Sequence, residues 1–376
     1  MGVIRILHVL GRLDRGGAET LVMNWYRNID RSKIQFDFVI HTKDKCSYND
    51  EIVNFGGKIY SISRFNGRNY KEYKKSWNTF FLNHPEYKIV HGHVRSTAAI
   101  YMNIAKKYNC ITIAHSHAIN SGNGIQGKVK DVMQIPIRLI ADYKWACSEE
   151  AARYLFGKKS LQQENTKIIR NAIDVQSFTY NESVRNLYRN KFDLSDSFVI
   201  GHIGRFIPEK NHQFIINVFN EVNSLCDNAK LLLVGTGPLF EHIYKLIKSL
   251  DLTEKVIILK DRNDVNCIIQ AMDIFVFPSK AEGLGIAAVE AQTSGITCLI
   301  SDYVPKAAKL TEHTYFLPID EKKDVKKWGD EIICEYKMQR ERTDVSDIIT
   351  NAGYDIVIES HKLMDEYRKI LRETKD

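Results

Sequence analysis

Ile274-Phe275-Val276-Phe277 runs into Pro278-Ser279-Lys280-Ala281-Glu282-Gly283-Leu284-Gly285, and that loop into Ile286-Ala287-Ala288-Val289-Glu290. The order is a short apolar strand, a loop with two glycines, and the opening of an apolar helix. Unpaired amides at a helix start point outward, the helix dipole favours negative charge there, and glycines admit close backbone approach. The segment therefore reads as an anion site at a strand-to-helix turn, with Glu282 in the loop and Glu290 about two turns into the helix.

The same strand–helix alternation extends in both directions. Towards the amino terminus, apolar runs at 4–10, 36–40, 59–62, 89–91, 110–114 and 145–147 are separated in part by amphipathic segments at 18–29, 70–82 and 97–107. The pattern then restarts with runs at 198–203, 230–234, 256–259, 274–277 and 297–300, and helical segments at 212–223, 239–250, 265–271 and 286–293. Two doubly wound parallel α/β sheets are predicted, in domains 1–175 and 176–353. The polar stretch 175–197 is the candidate linker. A tail over 354–376 carries the stripe Ile356, Ile358, Leu363, Met364, Tyr367, Ile370 and Leu371, spaced to pack against the body of the protein.

Length agrees with two domains: 376 residues, 44% apolar, are enough for two cores. The charge of +7, from 53 basic and 46 acidic residues, is spread thinly and speaks against a nucleic-acid partner, while phosphates or a lipid surface stay compatible. Seven scattered cysteines without a C-x-x-C pair fit a reducing cytoplasm. The opening residues enter a strand without a signal-peptide core, and no membrane span is expected.

Chemistry-bearing residues collect after strands, where ligands bind in open α/β sheets. Gly204-Arg205-Phe206-Ile207-Pro208-Glu209-Lys210-Asn211-His212 places two cations, Arg205 and Lys210, where they suit a departing diphosphate. Glu282 and Glu290 offer acceptors to hydroxyls of a sugar and a ribose, although a capping acid and a solvated helix residue would share that spacing. Val234-Gly235-Thr236-Gly237-Pro238 is a tight βα turn that lacks the full dinucleotide fingerprint. In the first half, Gly11 and Arg15-Gly16-Gly17-Ala18-Glu19 follow the first strand, as an approach for phosphate or sugar or as a purely structural turn. His91, His93, His115 and His117 end two strands and suggest a polar cleft wall; zinc is the rival reading, without an obvious carboxylate or cysteine beside them.

Together R-G-G-A-E-T, H-G-H, A-H-S-H, R-N-A-I-D, G-R-F-I-P-E-K-N, V-G-T-G-P-L and E-G-L-G-I-A-A-V-E resemble glycosyltransferase family 4 of the GT-B fold, over nearly the whole chain. The resemblance is narrower still to bacterial enzymes that build exopolysaccharide and capsule. It implies two Rossmann-like domains facing across a cleft, with the tail crossing back to the first. It implies a retaining hexosyltransferase that moves sugar from a nucleotide-diphosphate donor, a UDP-sugar, to a saccharide or polyprenyl-diphosphate-linked acceptor, with no metal or other cofactor.

By that resemblance His115 is the active-site histidine, with His117 second, and Arg205 and Lys210 hold the diphosphate. Glu282 holds the donor sugar and Glu290 the ribose. Gly16, Gly17, Gly204, Gly235, Gly237, Arg262, Gly283, Leu284, Gly285 and Ile286 complete the donor site, while His91, His93, His117 and Asn171 line the acceptor side or cleft. Leu284 departs from a frequent phenylalanine, Ala172 from a frequent glycine, and Lys260-Asp261-Arg262 from a glycine-bearing turn near the base, which leaves uracil and guanine both open. A nucleotide-sugar 2-epimerase and a non-catalytic partner of a polysaccharide-assembly complex are the rival functions. Basic and apolar residues at 64–75 and 128–144 add an expectation of peripheral contact with the inner face of the plasma membrane.

Overall fold

A parallel strand covered on both faces needs an unbroken apolar run. All seven residues of Ile34–Ile40 and all four of Ile274–Phe277 are accordingly buried. The computed structural model describes residues 2–14, 16–117, 124–320 and 322–373, so Arg15 of the first glycine turn lies outside the described residues. The chain divides into two compact units, Met1–Ile173 with Asp355–Asp376, and Asp174–Tyr354.

In the first unit β1 (Ile4–Val9), β2 (Ile34–Ile40), β3 (Ile59–Ser61), β4 (Ile89–Gly92), β5 (Ile111–Ser116), β6 (Tyr143–Ala146) and β7 (Thr166–Ile168) form a parallel sheet ordered β3-β2-β1-β4-β5-β6-β7. In the second, β8 (Phe198–Ile203), β9 (Ala229–Val234), β10 (Val256–Leu259), β11 (Ile274–Phe277), β12 (Thr297–Ser301) and β13 (Thr314–Leu317) are ordered β10-β9-β8-β11-β12-β13, again parallel. Each chain path works outward along one side, then returns to start the other. The reversals fall between β1 and β4 and between β8 and β11, and open α/β sheets bind ligands beyond the carboxyl ends of strands at such a reversal.

The helix Ile356–Glu373 packs beside the helix Gly17–Asn28 in the first unit. Ile356, Leu363, Met364, Tyr367 and Ile370 join Ile6, Ile89, Ile113 and Trp145 in one core. Ile358 is 42% exposed, off the buried stripe. The chain re-enters this unit where Asp355 pairs with Ile173, and Lys167 then pairs with Glu366.

Three features differ from the sequence reading. Residues 175–197 are not a linker: they form the helices Val175–Phe178 and Glu182–Lys191, capped by Asp174 and Asn181 side chains accepting from Ser177 N and Val184 N. Arg185 and Arg189 reach Asp273 and the carbonyls of Gln270, Ala271 and Met272 that end the helix Val265–Gln270. The polarity of this stretch is thus the polarity of caps and of an arginine latch. The short strands β7 and β13 were not anticipated, because Thr166-Lys167-Ile168 is only half-buried and Tyr315 of β13 is 39% exposed.

Candidate active site

The second unit builds its site at the reversal between β8 and β11. Asn211 adopts a left-handed φ of +55°, which asparagine tolerates, and turns the chain sharply between the 3₁₀ turn Pro208–Lys210 and the helix His212–Asn223. The turn carries Lys210 to the loop after β11, where its Nζ lies 2.5 Å from Glu282 Oε1 and 4.6 Å from the Phe277 ring centroid. Lys280 N donates to Glu209 O at 2.7 Å, so backbone also ties the two loops.

Gly285 has φ +87° and caps the helix Ile286–Thr293, and a Cβ there would lie 3.0 Å from Phe277 Cε1. Leu284 is buried behind the turn. Glu290 has no hydrogen bond or ion pair among the described residues, and burial pushes its carboxyl up to about 8 while Lys210 pulls it back. Arg205 is exposed and also unpaired among the described residues. The result is one cation held on a carboxylate, one free carboxyl and a helix amino terminus around a single turn, with Arg205 exposed on the loop after β8.

Gly235 and Gly237 have a packing explanation. A Cβ on Gly235 would lie 2.1 Å from Gly204 O, and one on Gly237 would lie 2.6 Å from Phe206 O. Phe206 N and Leu239 N complete that zipper by donating to Thr236 O and Phe206 O. Arg262 follows β10 and is held by Asp264, which also accepts from Tyr188 OH.

In the first unit Gly16 caps the helix Gly17–Asn28 in an extended conformation, and the Glu19 carboxylate folds back to within 2.3 Å of where a Gly16 Cβ would stand. Among the described residues, and apart from its chain neighbours and its own helix backbone, nothing lies within 4 Å of where a Gly17 Cβ would stand.

The strand-end histidines do not form a wall. His8, His91 and His115 are 0% exposed and His93 is 8% exposed, because their strands turn that face towards the core shared with Trp25, Trp145 and Tyr367. His117 is the partly exposed member. Two hydrogen-bonded ribbons result. His8 Nδ1 meets His93 Nε2 at 3.0 Å and His93 Nδ1 meets His117 Nε2 at 2.7 Å. Tyr367 OH meets His91 Nδ1 at 2.7 Å and His91 Nε2 meets His115 Nδ1 at 3.1 Å. Desolvation pushes all five rings below the usual histidine range, so they are neutral.

Similarity to known proteins agrees with this architecture. A model described as "Glycosyl transferases group 1" matches residues 184–349 and one described as "Glycosyltransferase Family 4" matches residues 15–177. The putative glycosyltransferase EpsF of Bacillus subtilis is 32% identical over 305 residues, which span 80% of this chain and 79% of EpsF. The chain belongs to glycosyltransferase family 4. An Escherichia coli relative, UDP-Gal:alpha-D-GlcNAc-diphosphoundecaprenol alpha-1,3-galactosyltransferase, is 30% identical over 145 residues, 36% of each chain. Anabaena HepE in complex with UDP-glucose superposes with a TM-score of 0.79 over 97% of this chain and 99% of HepE, at 18% identity. That likeness shows the fold, the two Rossmann-like units of GT-B.

In this glycosyltransferase the structure gathers Gly204, Lys210, Glu282, Gly285, Ile286 and Glu290 around the second-unit reversal, while Arg262 stands two strands away beyond β10. His91, His93, His115 and His117 form a second group in the first unit, and Asn171, with a buried unpartnered Oδ1, stays apart from their hydrogen-bonded ribbons. Sequence reasoning missed His8, whose register partner on β4 is His91, and Tyr367, read only as packing. It also missed His202 and His212. His202 Nδ1 donates to Val276 O at 2.8 Å, and the ring lies beneath Gly204. His212 stacks on Phe206 at 4.0 Å, with burial pushing it down to about 4.

Proposed function

We propose that this glycosyltransferase moves a hexosyl group from a UDP-sugar to a saccharide or lipid-linked saccharide, with retention of anomeric configuration, in exopolysaccharide assembly. The observation that carries the reading is the pairing of an unpartnered, half-buried Glu290 with the Lys210–Glu282 contact at the amino terminus of the helix Ile286–Thr293. Glu290 offers acceptors to the ribose hydroxyls and Glu282 to the donor sugar, while Lys210, Arg205 and the first-turn amides face the diphosphate. Those groups stabilise charge that grows on the leaving group, the task a divalent ion performs elsewhere. HepE was crystallised with UDP-glucose, and the Escherichia coli relative is named for a diphosphoundecaprenol acceptor, which supports both halves of the reading.

Peripheral contact with the inner leaflet is part of the same proposal. On the helix Gly124–Gln134, Ile125, Val129 and Val132 are exposed at helical spacing beside Lys128 and Lys130, and Ile135 and Leu139 continue the apolar surface. No helix among the described residues is long and apolar enough to cross a membrane.

The purified chain, incubated with a panel of nucleotide sugars and a lipid-linked saccharide, transfers from a UDP-sugar and does so equally in excess chelator. Loss of transfer on chelation with rescue by magnesium or manganese overturns the metal-free reading. Conversion of the donor to its 2-epimer without acceptor overturns transfer itself.

A further inference from the structure

Five neutral imidazoles in contact invite a metal, and the nitrogens of His8, His91 and His93, or of His93, His115 and His117, do lie within 4.8 Å of one another. Ring orientation argues otherwise. His8 and His93 are 12° from coplanar with centroids 5.3 Å apart, and His91 and His115 are 11° from coplanar at 5.2 Å. These are edge-to-edge contacts in which each lone pair lies in the ring plane, along the ribbon. The ribbons then stack face to face, His115 on His117 at 4.2 Å and 17°. Stacked, near-parallel rings send their lone pairs side by side, whereas a metal needs them to converge on a point.

The second ribbon has a direction. A neutral imidazole has one N–H and one bare nitrogen, so each hydrogen bond fixes the next. Suppose Tyr367 donates to His91 Nδ1. His91 then carries its proton on Nε2 and donates to His115 Nδ1, and His115 carries its proton on Nε2. Reversed, His115 Nδ1–H donates to His91 Nε2, and His91 Nδ1–H donates to the tyrosine oxygen.

The two directions leave different numbers of buried groups unmet. His115 Nε2 has no partner among the described residues, and the Tyr367 hydroxyl has only His91. With Tyr367 donating, one group is orphaned, the His115 Nε2–H. In the reverse direction two are orphaned, the bare His115 Nε2 and the hydroxyl hydrogen. An additional unmet buried polar group disfavours a state by a factor on the order of ten or more.

We propose that Tyr367, from the helix Ile356–Glu373, is a positioning residue that acts through His91 to lock His115 as the Nε2–H tautomer, a hydrogen-bond donor and not a base. Its function rests on the reading that this chain transfers a sugar from a nucleotide donor. In that reaction a neutral N–H donor stabilises oxygen that gains negative charge, and the ribbon keeps the donor from becoming an acceptor. Tyr367→Phe removes one oxygen from a packed ring and frees the direction, because both directions then orphan two groups.

The test begins with the unmutated protein. Two-dimensional nitrogen–proton correlation of ¹⁵N-histidine-labelled chain resolves the tautomers, and both His91 and His115 should be Nε2–H. A His115 Nδ1–H tautomer overturns the relay without any variant, as does bound zinc at one equivalent whose removal shifts those resonances. In Tyr367→Phe, shown folded by an unchanged melting profile, His115 should become a tautomer mixture. Turnover at saturating donor should fall on the order of tenfold with the donor KM little changed. A mixture with wild-type turnover overturns the positioning role. Failure of the transfer reading is separate and visible first, as an unmutated chain that turns over no nucleotide sugar.

Discussion

The two sheet reversals solve different electrostatic problems. Beyond β8 and β11 stand formal charges, Arg205, Lys210, Glu282 and the titratable Glu290, on loops and on the first turns of a helix. On β1, β4 and β5 and just past the ends of β4 and β5 lie five imidazoles kept neutral by desolvation and joined by hydrogen bonds in two ribbons. The proposed donor diphosphate would need countercharge that stays put, and charged side chains at a helix amino terminus are suited to supply it. The neutral side supplies direction in place of charge, since a chain of imidazoles dictates which nitrogen donates.

The comparison breaks most decisively at Lys210. Its ammonium is held by Glu282 and faces the proposed leaving group, whose negative charge rises towards the transition state, so its loss belongs in turnover more than in binding. Lys210→Ala should lower kcat by roughly a hundredfold or more, the scale of a lost oxyanion donor. Steady-state kinetics at saturating donor, with folding confirmed by circular dichroism, checks this. Wild-type turnover would move the stabilising role to Arg205 and the helix amides.

How much of this was legible follows from how far apart in sequence the partners lie. The second-unit loops could be read because 204–212 and 278–290 are contiguous motifs, which the Lys210–Glu282 pair and the Lys280 N to Glu209 O bond bring together. Both sheets were legible as apolar runs, except at β7 and β13, where half-buried strands show no such run. The first unit hid its logic. His8 and His93 are 85 residues apart and His91 and Tyr367 are 276 apart, so no local pattern joins them, and Tyr367 looked like any other aromatic on an amphipathic helix. The arginine latch on Asp273 was concealed likewise, its polar residues reading as linker.

Glu290 gives a smaller effect with two signatures. Burial keeps its carboxyl protonated to about pH 8, against a usual value of 4.5. Between those values the folded state holds a proton that the unfolded chain has lost, so this group's contribution to stability declines as pH rises through the window. Glu290→Gln retains the neutral shape and removes that decline. Without ligand its melting temperature should exceed wild type by a few degrees at pH 9 and match it near pH 4. Its donor KM at pH 9 should nevertheless rise about tenfold with little change in kcat, because above about pH 8 the amide replaces an ionised carboxylate, a charge-assisted acceptor for ribose. Equal melting curves at both pH values would show that the carboxyl is ionised in the folded chain.

The smallest expected effect tests whether the unit with the neutral histidines is also the one that meets lipid. Ile125 and Leu139 are 82% and 91% exposed, so neither side chain contributes much to the folded core, and their replacement should leave melting unchanged. If they enter the headgroup boundary, Leu139→Ser forfeits apolar area there and weakens partition by a few-fold, at about 25 cal/mol per Å² withdrawn from water. Lys128 and Lys130 add an electrostatic part that salt screens within a Debye length, so binding to anionic vesicles should fall with ionic strength more steeply in wild type than in Lys128→Gln. Co-sedimentation with vesicles of phosphatidylcholine alone, or mixed with phosphatidylglycerol, separates the two contributions. Equal binding to both vesicle types, unaffected by salt and by Leu139→Ser, would leave the exposed stripe without a membrane role. The proposed lipid-linked acceptor would then have to reach the enzyme by another surface.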